Sequence, residues 1–593
     1  MQRTTNPCAP IPGSKLLGYY HSSALRTGNY FSGKASQSLV LNTSNMTTSI
    51  TRREILAAFL GLPVALAACR SGKTPQFPAG TIIGASDGIG HRIRDGLNVN
   101  PPPDAWQRAA VVIVGGGVAG LSAAWHLLQN GFEDFVLLEL ESAAGGTARS
   151  GTSAIVPYPW GAHYLPAPMK ENTALVGLMN EMGILEGNDQ NGEPLVAEQF
   201  ICRDPEERVF YRGRWYEGLY LHAGETSDDK MQLERFNAEV NRWVDWRDAR
   251  GRRAFAIPVA QSSDDAEVTA LDKITMADWL GARGFNSPRL RWLVDYACRD
   301  DYGSTLEQTS AWTALFYFAS RVPRAGAESQ PLITWPEGNG RLVSYLFDKV
   351  RSKVKLGLAV TQIAPAAEAR AVATDQLDVI AVDAGAQNPI GFHAHNVIFA
   401  APQFLTRYLI RDYHEHAPSH LAEFEYGTWM VANLFLKDRP LNRGFPLAWD
   451  NVLYESPSLG YVVATHQRGL DHGPTIFTYY YPMCAQNPRD AREKLLAMDW
   501  HSCADVTLTD LSRAHPEIRS LVEGLDVMRW GHAMIRPRPG FMWGAARRAG
   551  AKPYRGIHFA NTDLSGVALF EEAFYHGTRA AAEVLALRKN GQS

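Results

Sequence analysis

Basic charge is not in surplus in this chain: 58 Lys and Arg stand against 61 Asp and Glu, a formal net charge of −3. Without a cationic excess to neutralise phosphates, nucleic acid is excluded as an expected partner. Cysteine is scarce. The six residues Cys8, Cys69, Cys202, Cys298, Cys484 and Cys503 form no CxxC pair and no ligand-like spacing with histidine, so neither a metal site nor a disulfide framework is expected. His414, Glu415, His416 and His420 lack HExxH spacing and flank Pro418, which removes them as a metal set. What remains is a globular composition, 45% hydrophobic and 20% charged, and 593 residues suffice for roughly two to four domain-sized units.

Residues 1–45 are polar and rich in Ser, Thr and Asn, without the periodic apolar spacing of a packed core. They are expected to stay outside the fold, and Met46 is expected to be the true start. Thr51-Arg52-Arg53-Glu54-Ile55-Leu56 forms a twin-arginine pattern, and the apolar run Ile55 to Ala68 that follows is short for a permanent membrane span. Its end, Leu66-Ala67-Ala68-Cys69, resembles a bacterial lipobox. Export through the twin-arginine route to the periplasm is expected, with membrane contact only through a lipid anchor at Cys69.

Val111-Val112-Ile113-Val114 is apolar throughout, as in a parallel strand covered on both faces. Gly115-Gly116-Gly117-Val118-Ala119-Gly120 follows, and then a strong helix former from Leu121 to Leu128. In that order Gly115 permits a tight turn, Gly117 lets the backbone approach a pyrophosphate, and Gly120 lets helix and strand pack closely. The Val118-Ala119 peptide lies at the helix N-terminus, where free N–H groups and the dipole favour an anion. Phe135-Val136-Leu137-Leu138-Glu139 reads as the second strand, and Glu139 stands about twenty residues past the glycines, placed to accept from a ribose diol. Gly84-Ala85-Ser86-Asp87-Gly88-Ile89-Gly90 imitates a nucleotide loop, but Asn98 to Pro103 would stop its helix early, so a linker loop is expected there.

Gly145-Gly146 stands six residues beyond Glu139, followed by Thr147-Ala148-Arg149, and Ile557 to Asp563 reads as a strand ending in an acid before a helix from Phe570 to Ala581. These motifs resemble the flavin-containing amine oxidase and phytoene desaturase superfamily over residues 108–590. Weaker likenesses lie at Trp335 to Leu342, Val360 to Ile363 and Val397 to Pro402. The resemblance implies an α/β fold: a Rossmann-type FAD-binding domain, glutathione reductase-like and of the amine oxidase type, with a discontinuous α+β substrate domain. It implies that Gly115, Gly117, Val118, Ala119, Gly120, Glu139, Gly145, Gly146, Arg149 and Val360 hold FAD. Asp563 would hold its ribitol and phosphate, and the turn carrying Phe570, Glu572 and Ala573 would face the flavin ring. Thr147 departs from the Arg common after the GG pair, a role left to Arg149. No lysine lies in Met430 to Leu436 and no cysteine in residues 530–560, so the water-activating lysine of many relatives is missing and the FAD is expected to be non-covalent.

The expected organisation is a linker over 70–107, a FAD-binding domain of 108–164, 331–402 and 546–593, and a substrate domain of 165–330 and 403–545. Helices are expected over Thr173 to Met182 and Thr275 to Arg283, and Phe477, Tyr479 and Tyr481 alternate as in a half-buried strand. His163, in Tyr158 to Tyr164, is a candidate base or flavin contact, and Trp429 a candidate cavity wall. Arg536 to Trp543 reads as a solvated basic loop. The function expected is removal of hydride from a small organic substrate, such as an amine, to FAD, with oxygen or another acceptor taking the electrons. A desaturase or isomerase of an apolar isoprenoid-like substrate is the first rival, and a non-catalytic flavin-bound envelope protein the second.

Overall fold

The computed structural model describes residues 77–366, 376–383, 385–484 and 487–589. The twin-arginine segment and Cys69 lie outside them.

Trp106–Val114 runs parallel to Phe135–Glu139 on one side and to Ile390–Phe399 on the other. Its apolar run is divided between two faces. Val111 and Ile113 join Leu121, Ala124 and Phe574 in one core, whereas Val112 and Val114 join Val360, Leu409 and Ile410 in another, which is why no polar alternation appears in the sequence. Val354–Leu356 extends the sheet beside Phe135–Glu139, and Leu377–Asp383 and Leu358–Pro365 continue it antiparallel on the far side. Ile557–Phe559 returns from the end of the chain to pair in parallel with Ile390–Phe399. In register, Val114 lies opposite Phe399 and Phe399 opposite Phe559, so the glycine loop and the Asp563 turn leave the same end of one sheet.

The helix Phe570–Lys589 lies on Val118–Gln129, and the crossing is close: a Cβ on Gly577 would come within 2.2 Å of the Ala119 carbonyl oxygen. Glycine at that contact lets the last helix seat against the first.

The second body is a seven-stranded sheet in the order Val522–Ile535, Tyr426–Leu436, Thr475–Pro482, Gly460–Val463, Asp450–Leu453, Glu207–Tyr211 and Arg214–Glu217. Thr475–Pro482 is not half-buried. Its two faces are both covered, with Tyr479 bonded to Asp510 of the helix Trp500–Leu511 and Tyr480 to the Gly161 carbonyl. Helices Ser227–Asp245, Pro288–Tyr302 and Ala311–Ala319 carry an aromatic core that includes Phe236, Trp312 and Phe316. Side-chain oxygens bond the first-turn N–H groups at Thr226, Ser287 and Ser310. The helices near Thr173 and Thr275 form as Thr173–Glu181 and Met276–Ala282, capped by Asn172 and Thr275.

The stretch after residue 78 is more than a linker. Ala79 and Ile82 bridge in parallel to Gly524 and Val527, and Asp87–Arg94 forms a two-turn helix. Its length is limited as the prolines require, but Ile89 buries against Ala359 and Val382, and that contact stabilises a helix too short to persist alone. Ser86 donates its N–H to Glu141 at 2.7 Å, fastening the segment to the Rossmann body.

Candidate active site

The sharp turn after Val114 brings the two glycine motifs together, for the Gly145 N–H donates to the Gly116 carbonyl at 2.8 Å. A Cβ on Gly120 would stand 1.9 Å from the Gly115 carbonyl oxygen, so the helix can start there only with glycine. Gly117, by contrast, faces open space, with nothing within 4 Å of a Cβ position. No side chain caps the helix Val118–Gln129, whose first N–H groups are left for a ligand. Glu139 accepts from the Gly116 N–H at 2.6 Å and from the Glu141 N–H at 2.7 Å. Burial raises its carboxyl above the usual range, and these two N–H groups oppose the rise. An open glycine, an uncapped helix end and an acid fixed beside them fit the phosphates and ribose of a dinucleotide.

Val360 is buried in Leu358–Pro365, beside a register shift. Arg149 reaches along the sheet boundary toward Glu141 at 3.8 Å and lies over the Trp530 ring at 5.6 Å. Asp563 is buried and accepts from the Tyr426 hydroxyl at 2.6 Å. Glu572 departs from expectation: its carboxylate accepts the Val259 N–H at 2.7 Å and the Ser565 hydroxyl, tying the substrate domain to the helix, while its neighbour Glu571 lines the cavity. Successive helical residues point about 100° apart, so only one of the two acids faces inward. Phe570 lines the same cavity, and Ala573 is buried one turn on.

That cavity, about 130 Å³, lies where the Rossmann body meets the substrate sheet. His163 and Trp429 both line it, together with Tyr480 and Trp530. Trp530 donates to the Trp160 carbonyl at 2.7 Å, and the Tyr480 ring stacks on His163 at 4.6 Å, so both rings are held in place. Asp300 and Asp301, from the end of Pro288–Tyr302, supply carboxylates with Glu571. Asp301 accepts from the Tyr164 hydroxyl at 3.1 Å and from Arg321 at 3.3 Å. Asn339 Oδ1 and Trp429 Nε1 are buried polar atoms without a hydrogen-bond partner among the described residues, the open valences expected of a wall built against a bound molecule.

Burial raises Asp300, Asp301 and Glu571, the neighbouring Asp301 adding to the rise at Asp300, and Arg321 draws all three back toward ionisation. Burial lowers the His163 imidazole to about 4, and its Nδ1 lies 3.3 Å from the Gly161 carbonyl. With the proton on Nδ1, Nε2 is a neutral acceptor near pH 7. Sequence reasoning missed the two aspartates, Arg321, Asn339, Tyr480, Trp530 and Glu571. The available signal was the pair Asp300-Asp301 in the last turn of a helix, where negative charge opposes the dipole. Arg536 was also misread: it is buried between Ser304, Gln308 and Glu425, because the loop folds back under the domain boundary.

The flavin containing amine oxidoreductase family matches residues 118–585. A Mycobacterium tuberculosis protein named as a flavin-containing monoamine oxidase, AofH, is 30% identical over 214 residues, 35% of this chain and 40% of that protein. Rat mitochondrial dimethylglycine dehydrogenase is 43% identical over 56 residues, 9% of this chain and 6% of the relative. The chain thus matches under half the length of either curated relative. Putrescine oxidase solved with putrescine shares the fold with a TM-score of 0.56 at 15% identity, over 81% of this chain and 100% of that one. Cyclohexylamine oxidase from Brevibacterium oxydans gives 0.55 at 15%, over 82% and 100%.

Proposed function

Because this chain belongs to the flavin containing amine oxidoreductase family, we propose that it is an FAD-dependent oxidase or dehydrogenase that removes hydride from the carbon beside a substrate amine. FAD is its cofactor, and in this reading it is held without a covalent bond. When bound it supplies the two-electron acceptor. The residues fitted to it are Gly115, Gly117 and Gly120 for the phosphates, Glu139 for the ribose and Asp563 beyond them.

One observation carries the amine reading: a small cavity with Asp300, Asp301 and Glu571 on its wall, only Arg321 among them as a fixed cation, and the rings of Trp429, Tyr480 and Trp530 set among aliphatic side chains such as Val431, Met534 and Leu569. An ammonium favours ionisation of the acids that burial holds up, and aromatic faces accept it. An apolar isoprenoid-like molecule would strip water from the same acids with nothing in return. His163 Nε2 relays the ammonium proton out of the cavity, since burial disfavours ammonium and imidazolium alike, and the free amine's lone pair assists loss of hydride from the adjacent carbon; the C–H bond breaks and the product is an iminium ion. The rings exclude water and align the carbon.

Anaerobic mixing with monoamines, diamines, amino acids and polyenes tests this reading by loss of flavin absorbance. Bleaching by an amine supports it. Bleaching by dithionite or a polyene, with every amine inert, rejects it.

The twin-arginine pattern supports export in the folded state, which allows a dissociable flavin to be loaded first, and Leu66 to Cys69 supports a lipid anchor in the periplasm. Mass spectrometry of the native protein would find acylated Cys69 as the first residue; a first residue upstream of Thr51 would exclude the anchor.

A further inference from the structure

Behind the active cavity lies a second, of about 450 Å³, with charge of the opposite sign. Arg407, Arg492, Arg538 and His532 line it, with Glu425 as its one acid. Glu425 is engaged by Arg536, and Arg538 by Glu423. Arg492 donates to the Tyr426 carbonyl at 3.2 Å, and neither it nor the exposed Arg407 is ion-paired with a carboxylate among the described residues. Glu425 and Glu493 act on Arg492 only from beyond ion-pair distance, so both guanidiniums keep their hydrogen-bonding forks for a ligand. Burial and the neighbouring Arg492 hold the His532 imidazole down at about 4, so it adds no charge near neutral pH.

The remaining wall is aromatic on one side and is completed by small and aliphatic residues from Ala417 to Ala422. Phe404 stacks on His532 at 4.1 Å, Arg407 lies 5.4 Å from the Tyr408 ring centre, and Phe424 and Tyr426 close the side toward the domain boundary. The size is that of a small-molecule site, larger than an inorganic ion requires. Guanidinium forks match carboxylate and phosphate oxygens, whereas aromatic faces match a ring or an acyl chain. We propose that this cavity binds an amphiphilic oxyanion, an aromatic or acyl body with a carboxylate or phosphate head held by Arg407 and Arg492. The site is separate from the amine cavity, which is lined by Trp530, Ala533 and Met534 of the strand that contributes His532 here. Its occupant lies one side chain from Asp563, because Tyr426 forms its wall and donates to that acid.

Isothermal titration of the FAD-loaded protein with phenyl phosphate and with benzoate, against sodium chloride at matched ionic strength, tests the proposal. At least one probe should bind saturably, one molecule per chain, and the tighter of the two identifies the head group. Arg407→Gln and Arg492→Gln should each weaken that binding about tenfold or more, with FAD absorbance reporting that the variant is folded. Arg407 is exposed, so its variant keeps the test decisive even if Arg492→Gln does not fold. Failure of both probes to bind above the chloride control, or unchanged affinity in the folded variants, overturns the site.

Discussion

Tyr426 donates its hydroxyl to Asp563 Oδ2 at 2.6 Å, and the same oxygen accepts the Gln403 N–H at 2.8 Å. Tyr426 belongs to the substrate sheet and Asp563 to the turn after the last Rossmann strand, so the bond joins the two bodies at the cofactor end. Asp563 is 2% exposed, and burial lifts its carboxyl to about 6 in spite of both donors. A folded-state value above the unfolded one means that the native state binds this proton more tightly. The contribution is fully present below 3.8 and is lost as pH rises through about 6.

Tyr426→Phe should therefore act through the ionised form. It removes a donor from a buried carboxylate, with an expected loss of about 1–3 kcal/mol. The loss should be larger at about pH 8 than at about pH 5, where the acid is protonated. Urea unfolding of the apoprotein at both pH values measures it, and an equal loss at both would contradict the assignment.

Gly577→Ala should loosen the cofactor without touching it. The added methyl meets the Ala119 carbonyl, so the helix Phe570–Lys589 must retreat from Val118–Gln129. Overpacking of this kind costs about 1–3 kcal/mol, and the displaced helix carries Phe570 and Glu571 away from the cavity. The flavin-to-protein absorbance ratio after gel filtration should fall. Full flavin retention at unchanged stability would show that the crossing can adapt.

Asp301 and Arg321 form an ion pair with side chains only 3% and 4% exposed. Breaking such a pair from one side leaves a buried charge, so Asp301→Asn should cost about 3–5 kcal/mol, whereas replacing both residues with well-packed apolar ones should cost far less. Thermal melts of the two single variants and the double variant form the cycle. Additive losses would mean that the two side chains do not depend on each other.

The parts of this site that were legible in the sequence are those built from neighbours in the chain. Gly115 to Gly120, Glu139 and Gly145-Gly146 declare themselves because one turn, one helix start and one strand end each impose local residue choices. The C-terminal strand and helix were legible for the same reason, as was the run Val111 to Val114, apolar because both its faces are covered. Apart from His163 and Trp429, the cavity was not. Asp300, Arg321, Asn339, Tyr480, Trp530 and Glu571 come from separate elements, and nothing local distinguishes a carboxylate that faces a cavity from one that faces water. Glu572 shows the limit most closely: adjacent to Glu571 and equally acidic, it is turned by the helix toward Val259 instead.

His163 gives the sharpest pH test of the active cavity. Burial lowers its imidazole to about 4, below the 6.5 of the unfolded chain, so the unfolded state takes up this proton first. The stability it confers is fully present above 6.5 and is lost as pH falls toward 4, and His163→Gln should flatten that acid limb. Its kinetic effect should run the other way along the scale. A neutral Nε2 that accepts the ammonium proton matters where the amine is protonated, so the rate of flavin reduction should fall by about 10²–10⁴ near neutral pH. The deficit should close toward about pH 10, where much of a simple amine is already neutral. Stopped-flow reduction across that range separates the two roles: a deficit of the same size at every pH would make His163 a packing partner of Tyr480 and leave the proton to another group.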